Sequence, residues 1–242
     1  MIKGFLSGIS SYSKALSLIS ELKLWKYVFI PSILSLFLGG LIFFSAWGLS
    51  DNIGNYLANL YPWEFGSGVV ESIADVFGGL LILALGLILF KHLILIVSAP
   101  FMSPLSEAVE SHLRGENVSP RFNLVKMGRD VWRGLRLAIR NVFRELFYTI
   151  MFLILGLIPI FSPFTIVGIF LIQAFYFGFG NMDFTLERHF GVKDSIRFVR
   201  QNRGLAAGNG TVTMLLMMTV VGFIFILPLG TVAATIETVK RV

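Results

Sequence analysis

Residues 146–182 form a run of 37 residues without a charge, broken near the middle by Pro159 and Pro163. A membrane-crossing helix needs about 20 apolar residues, and soluble core helices rarely exceed that. The run is too long for one span. Its Pro-x-x-x-Pro break predicts two helices joined by a tight turn, both inside a bilayer. Glu145 precedes the run and Asp183 follows it. A hairpin returns the chain to the side it left, so the bilayer is the solvent in which this chain folds. The expected fold class is an all-α integral membrane protein.

Composition agrees. Hydrophobic residues make up 55% of the 242 and charged residues 14%, against about 25% charged in a typical soluble domain. The 24 Phe and 24 Gly suit lipid-facing surface and close helix packing. The length fits one membrane domain with no separate soluble one. Without cysteine the chain has no thiol catalysis, disulfide or thiolate metal site. The net charge of +6 would suit nucleic acid in another setting. Beside these apolar runs the basic residues set membrane orientation, and no nucleic-acid partner is expected. Residues 1–27 are too long and mixed for the n-region of a signal peptide, so the apolar run after them is expected to be an uncleaved first span.

The other uncharged runs are 28–50, 76–90 continuing past Lys91 to 106, and 205–236. Trp25 and Tyr27 at one end of the first run, and Trp47 at the other, are aromatics suited to headgroup depth. Charge between the runs sets the topology. Residues 51–75 carry Asp51, Glu64, Glu71 and Asp75 and no Lys or Arg, whereas 1–27, 98–145, 183–204 and the tail carry four, eight, five and two. Because Lys and Arg stay inside, the expected order is as follows: cytoplasmic segment 1–27, span 28–49, outside loop 50–75, span 76–97 and basic cytoplasmic helical region 98–145. Hairpin 146–182, basic segment 183–204, hairpin 205–236 and cytoplasmic tail 237–242 complete it.

Runs three and four begin and end inside, so each is a hairpin. The first half of run three, 146–158, is 13 residues, about 20 Å of helix against about 30 Å of hydrocarbon. Run four is expected to break at Pro228, near Gly222 and Gly230, leaving a shorter second half at 229–236. Both hairpins are therefore expected to penetrate partway. Irregular backbone at that depth must be buried in protein or face water, which favours an oligomer or a polar cavity.

Arg129, Arg133, Arg136, Arg140 and Arg144 recur on one helix face, and Trp132, Leu135, Ile139, Val142 and Leu146 on another. Two readings fit this basic amphipathic helix. It is an interfacial helix whose arginines meet anionic lipid phosphates, or it forms an electropositive vestibule that concentrates an anion. Lys193, Arg197, Arg200 and Gly204, with Arg203 alongside, repeat the pattern. Lys91 interrupts the second run. It is a possible pathway residue, or an anchor snorkelling to the interface. His92, His112 and His189 have no metal-site spacing, and no metal or cofactor is expected. The glycine-rich 204–210 (GLAAGNG) lacks the lysine of a phosphate-binding loop and opens an apolar hairpin, where free helix amides could hold an anion. No nucleophile–base or paired-carboxylate pattern appears, so an enzyme is not expected.

Residues 98–115 (SAPFMSPLSEAVESHLRG) resemble the element after the second span of CysZ-type sulfate permeases. Residues 181–189 (NMDFTLERH), followed by Phe198, Arg200, Arg203 and the glycines, resemble a later stretch of that family, and Pro31 and the Pro-interrupted third run match in place. The wider superfamily includes eukaryotic etoposide-induced membrane proteins. The resemblance covers roughly 10–240. It implies a bacterial inner-membrane protein with two long transmembrane helices and two partly penetrating hairpins, a homo-oligomer that takes up sulfate or a similar oxyanion.

One departure stands out. Sulfate-transporting members carry a Gly-Leu-Arg type motif before the first span. Here that place holds Lys23, Leu24, Trp25 and Lys26. Lysine supplies charge but not the planar fork that grips an oxyanion bidentately. The expected function is an anion permease or channel, working without ATP hydrolysis. Lys23, Lys26, Arg197, Arg200 and Arg203 are its expected anion-binding residues, with Lys91 a possible pathway residue. The alternative is a non-transporting membrane scaffold or lipid-interacting protein of the same fold.

Overall fold

The chain opens with α1 (Ile2–Glu21), where no element was expected. Its buried face is Gly8, Ser11, Ala15 and Ile19, a stripe of mostly small residues that lets it lie directly on α7 (Arg203–Met217). A Cβ on Gly8 would stand 2.7 Å from the Asn209 amide nitrogen and 2.8 Å from the Leu205 carbonyl oxygen. The two helices run parallel: Gly4 faces Leu205, Gly8 faces Asn209, and Tyr12 donates to the Asn209 carbonyl at 2.8 Å and meets the Thr213 hydroxyl at 2.6 Å.

The computed structural model describes residues 1–59, 67–116 and 124–242, without the side chains of 42, 43, 45–59, 67–84, 124–127 and 220–224. Glu64 of the acidic loop and Arg121 of the basic region lie outside the described residues. So do the side chains of Trp47, Asp51, Glu71 and Asp75. Almost all of the described residues are helical and no strand occurs among them, so the all-α expectation holds.

At the turn after α1 the chain bends by 117° into α2 (Lys26–Asn59). Lys23 sits in that turn at φ +52°, the left-handed region that glycine enters freely and other residues enter at a cost of about 1–2 kcal/mol. It is the position at which the resembled motif carries glycine.

α3 (Ser67–Arg114) is 48 residues, about 72 Å at 1.5 Å per residue, and carries Pro100 and Pro104 without ending. α4 (Leu124–Gly156) and α5 (Ser162–Leu186) form the first hairpin, joined by a short 3-10 turn at Pro159–Phe161. α6 (Val192–Gln201), α7 and α8 (Val220–Val239) complete the chain. Two helical stretches, Leu85–Arg114 and Pro159–Leu186, are long and apolar enough to cross a membrane, and α1 with the first part of α2 qualifies as a bent pair.

The break between Pro159 and Pro163 falls where expected, but the first leg is not short. α4 starts at Leu124 and runs unbroken through the basic stretch into the apolar one, so 146–156 is its last part. The added length is the arginine-bearing stretch, and α4 is not among the helices long and apolar enough to cross a membrane. Part of the turn's backbone is satisfied within the turn itself. Leu157, Ile158 and Phe161 donate to the carbonyls of Ile154, Leu155 and Ile158, and Pro159 and Pro163 have no amide hydrogen. Its side chains face outward, Ile160 and Phe164 at 74% and 68% exposure, as apolar groups do where lipid is the solvent.

The second hairpin does not break at Pro228. α7 ends at Met217, the chain turns at Met218 and Thr219, and Pro228 lies inside α8. Proline costs a helix one amide donor, a loss that packed neighbours make good in membrane helices. Asn209 of α7 donates to the Gly230 carbonyl at 2.9 Å, and Asn181 of α5 donates to Asn209 Oδ1 at 2.9 Å. The two hairpins are thereby tied together by buried uncharged groups.

α4 shows how the chain sorts its faces. Of the expected apolar face, Trp132 and Ile139 point outward with Phe143 and Phe147, whereas Leu135, Val142 and Leu146 are half-buried. The packed face is a third one: Asp130, Leu137, Ala138, Asn141, Glu145, Thr149 and Leu153, all buried. Polar groups turn inward where neighbouring helices satisfy them, and apolar groups remain outside, the arrangement lipid imposes.

Candidate functional site: a basic groove over a buried charge cluster

The interface of α3, α4 and α5 contains ionisable groups far from water. Lys91 and Glu145 have side chains with no exposed surface and form an ion pair. The Lys91 ammonium also donates to the Gln173 carbonyl at 3.1 Å. His92 Nε2 lies 3.0 Å from the second Glu145 oxygen. Glu145 thus sits between two basic residues that are adjacent on α3. Of the two readings of Lys91, snorkelling fails, because no part of the side chain reaches the surface.

His92 borders a narrow cleft of about 40 Å³, enough for one or two waters. Its other walls include Asn141, Tyr176, Phe179, Asp183 and Glu187. At the far end Arg133 holds Asp183 through Nε at 3.2 Å and Nη2 at 2.9 Å. It also donates to the Phe190 carbonyl and the Ser195 hydroxyl, each at 2.7 Å. Burial works against the Arg133 charge, but Asp183 outweighs it and raises the guanidinium above its ordinary value. Arg133 is therefore a strut between α4, α5 and α6 rather than a free vestibule charge.

Glu187 accepts from the Ser103 hydroxyl. Burial, reinforced by the charges of Asp183 and Asp130, pushes its carboxyl up from 4.5 to about 8. A raised folded-state pKa contributes stability that is complete below the unfolded value and is lost as pH rises through the folded one. The Tm of detergent-purified wild type should therefore decline between pH 4.5 and about 8. The Glu187→Gln protein, with nothing to ionise there, should decline less over the same window. Parallel curves would mean that Glu187 ionises freely.

Beside the cleft lies a wider groove of about 450 Å³ whose lining includes Arg140, Arg144, Arg200 and Arg203, with Tyr148, Tyr176 and Phe179. Two arginines come from α4, one from α6 and one from the first residue of α7, so two segments far apart in sequence converge here. Among the described residues no carboxylate pairs with any of the four. Burial, and with it the like charges of Arg144 and Arg200, lowers Arg140 below the ordinary guanidinium value. An anion is the ligand that relieves such crowding. Arg140 Nη1 donates to Asn141 Oδ1 at 2.7 Å. Tyr176 and Phe179 form a wall common to groove and cleft.

The residues expected to bind anion are divided by this arrangement. Arg200 and Arg203 line the groove, and Arg197 is exposed on α6, the helix that carries Arg200. Lys23 and Lys26 are not with them. Met1 packs on Gly204, and the 20 residues of α1 carry the chain about 30 Å away at 1.5 Å per residue before Lys23. Lys26 lies 5.0 Å over the Tyr27 ring. The GLAAGNG amides are not an anion cradle either. Met1 and Phe5 backbone of α1 press on Gly204 and Gly208, so this stretch is a packing surface. Sequence reasoning missed Glu145, Asn141 and Tyr176. The available signal was Glu145 at helical spacing from Asn141 and Thr149, a polar stripe crossing into an apolar run.

Fold and site together define a helical, membrane-capable protein with a cationic groove beside a cleft that leads to buried ion pairs. Residues 11–228 match the family described as Sulfate transporter CysZ/Etoposide-induced protein 2.4, and the chain belongs to that family. No curated protein matches the chain.

Proposed function

We propose that this protein is an oxyanion permease of the bacterial inner membrane that admits sulfate or a related oxyanion without hydrolysing ATP. The observation that carries the reading is the convergence of Arg140, Arg144, Arg200 and Arg203, without carboxylate partners among the described residues, on a groove sharing a wall with the buried cleft. Guanidinium forks bind tetrahedral oxyanions through paired charge-assisted hydrogen bonds. Arg200 and Arg203 contact the anion in this reading, and Arg197 adds field. Lys23 and Lys26 form a second basic patch at the other end of α1. Both termini and the basic segments are cytoplasmic by the distribution of Lys and Arg. A homo-oligomer and contact with anionic lipids complete the proposal, on the strength of family membership and of arginines beside outward apolar side chains.

Labelled sulfate uptake into proteoliposomes tests it. Saturable uptake above empty vesicles is expected. Because exposed Arg200 and Arg203 hold nothing else in place, Arg200→Ala with Arg203→Ala should lower it about tenfold or more at unchanged Tm. If the wild type shows no saturable uptake of sulfate, sulfite or thiosulfate and instead binds vesicles in proportion to anionic lipid, it is a lipid-interacting scaffold and the permease reading fails.

A further inference from the structure

We propose that the Glu145 carboxylate is a tethered anion that occupies an internal oxyanion site formed by Lys91 and His92, and that a permeating oxyanion must displace it. The inference rests on the permease reading and concerns its inner step.

The carboxylate is held as a bound oxyanion would be. One oxygen meets the Lys91 ammonium and the other meets His92 Nε2 at 3.0 Å. Two adjacent residues of a helix point about 100° apart, so both reach one ligand only if it lies between their directions. Glu145 fills that position from a different helix, α4. More polar capacity is present than Glu145 uses. Thr149, one turn further along the same face of α4, has a buried hydroxyl without a hydrogen-bond partner. A buried hydroxyl that donates to nothing, one helical turn from Glu145, is a donor available to a larger anion.

The clamp also lies on a polar route. Arg140 of the basic groove donates to Asn141 at 2.7 Å. Asn141 and His92 line the cleft together. His92 touches Glu145, which touches Lys91. An anion leaving the arginines past Tyr176 therefore meets His92 as its next basic group, with Glu145 already in place. The carboxyl groups at the far end of the cleft are otherwise engaged, Asp183 by Arg133 and Glu187 by Ser103. Stability alone is a weak reason for this arrangement, because apolar residues of similar volume commonly serve a buried position as well as an ion pair does.

Glu145→Gln tests the proposal. It keeps the shape and most of the hydrogen bonding but removes the competing charge. Sulfate binding to purified protein would be measured with labelled sulfate and by thermal shift, with sodium chloride at equal ionic strength as control. The Gln variant is expected to bind sulfate about tenfold more tightly than wild type, as loss of a charged competitor implies, and Lys91→Met added to it should remove the gain. A folded Glu145→Gln protein with wild-type sulfate affinity would overturn the proposal, as would a gain that survives Lys91→Met. Should the Gln variant not fold, Glu145→Asp keeps the charge on a shorter arm and should show a smaller gain, and no gain would again count against it. Uptake by the same preparations separates the two readings. Wild-type transport without a gain in the variant sinks only the tethered anion. A Lys91-dependent gain with no wild-type uptake supports the internal site and sinks the permease.

Discussion

Gly210→Ala together with Gly178→Ala should remove most of the folded protein from a detergent-extracted preparation. The two glycines face each other's helices reciprocally. A Cβ on Gly210 would overlap the Ala174 carbonyl, and one on Gly178 would overlap the Ala206 carbonyl. Ala174 and Gly178 lie four apart on α5, and Ala206 and Gly210 four apart on α7, so each helix presents a small-x-x-x-small face. Such faces let membrane helices approach to backbone contact, and in lipid much of the association energy comes from that contact. The obstruction is backbone in both cases, so no side-chain rotation relieves it and the helices must separate. Overpacking costs about 1–3 kcal/mol per site, more where nothing yields, against a total stability of about 5–15 kcal/mol. Monodispersity on size exclusion and the Tm measure the outcome. Gly128→Ala is the control. Nothing lies within 4 Å of its would-be Cβ, and alanine favours the helix by about 0.5–1 kcal/mol, so this variant should keep or slightly raise the Tm. If the paired variant behaves like the control, the α5–α7 crossing does not hold the fold.

The same crossing explains what could and could not be read from sequence. The first hairpin was legible because proline and a long uncharged run are both local signals, and each end is marked by an acid, Glu145 and Asp183. α1 was not. Its contact face of Gly8, Ser11 and Ala15 has little hydrophobicity to give a period, and its partner glycines on α7 read equally well as free amides for an anion. The second turn was misplaced for the opposite reason. Met218 and Thr219 carry no turn chemistry, whereas Pro228, which does, is tolerated inside α8. On α4 the sequence shows basic and apolar stripes, but the outward apolar face is rotated towards Phe143 and Phe147, with Leu135, Val142 and Leu146 half-buried, and the packing face is a third one. A reading tuned to water seeks an apolar core face, while this helix buries Asp130, Asn141 and Glu145. Arg200 and Arg203 were legible as a basic stripe, but their meeting with Arg140 and Arg144 depends on how hairpin and α6 fold back, which no local pattern carries.

Lys91→Met should destabilise the protein by about 3–5 kcal/mol, the cost of leaving a buried charge without its partner. In a chain of this size that is a fall in Tm on the order of 10 °C. Methionine fills nearly the volume of the lysine stem, so the loss is electrostatic rather than a cavity. The stranded group is Glu145, whose side chain has no surface and whose remaining partner is His92. Adding Glu145→Gln to Lys91→Met removes the stranded charge and should recover most of the loss, since a neutral amide still bonds His92 and leaves nothing ionised to solvate. Glu145→Gln alone should lie between, because Lys91 retains the Gln173 carbonyl at 3.1 Å and an amide oxygen in place of the carboxylate. The order expected for Tm is therefore wild type, then the double variant and Glu145→Gln, then Lys91→Met well below. A double variant as unstable as Lys91→Met would mean that the loss does not come from the stranded carboxylate, and that Lys91 supports the core by its stem instead of its charge.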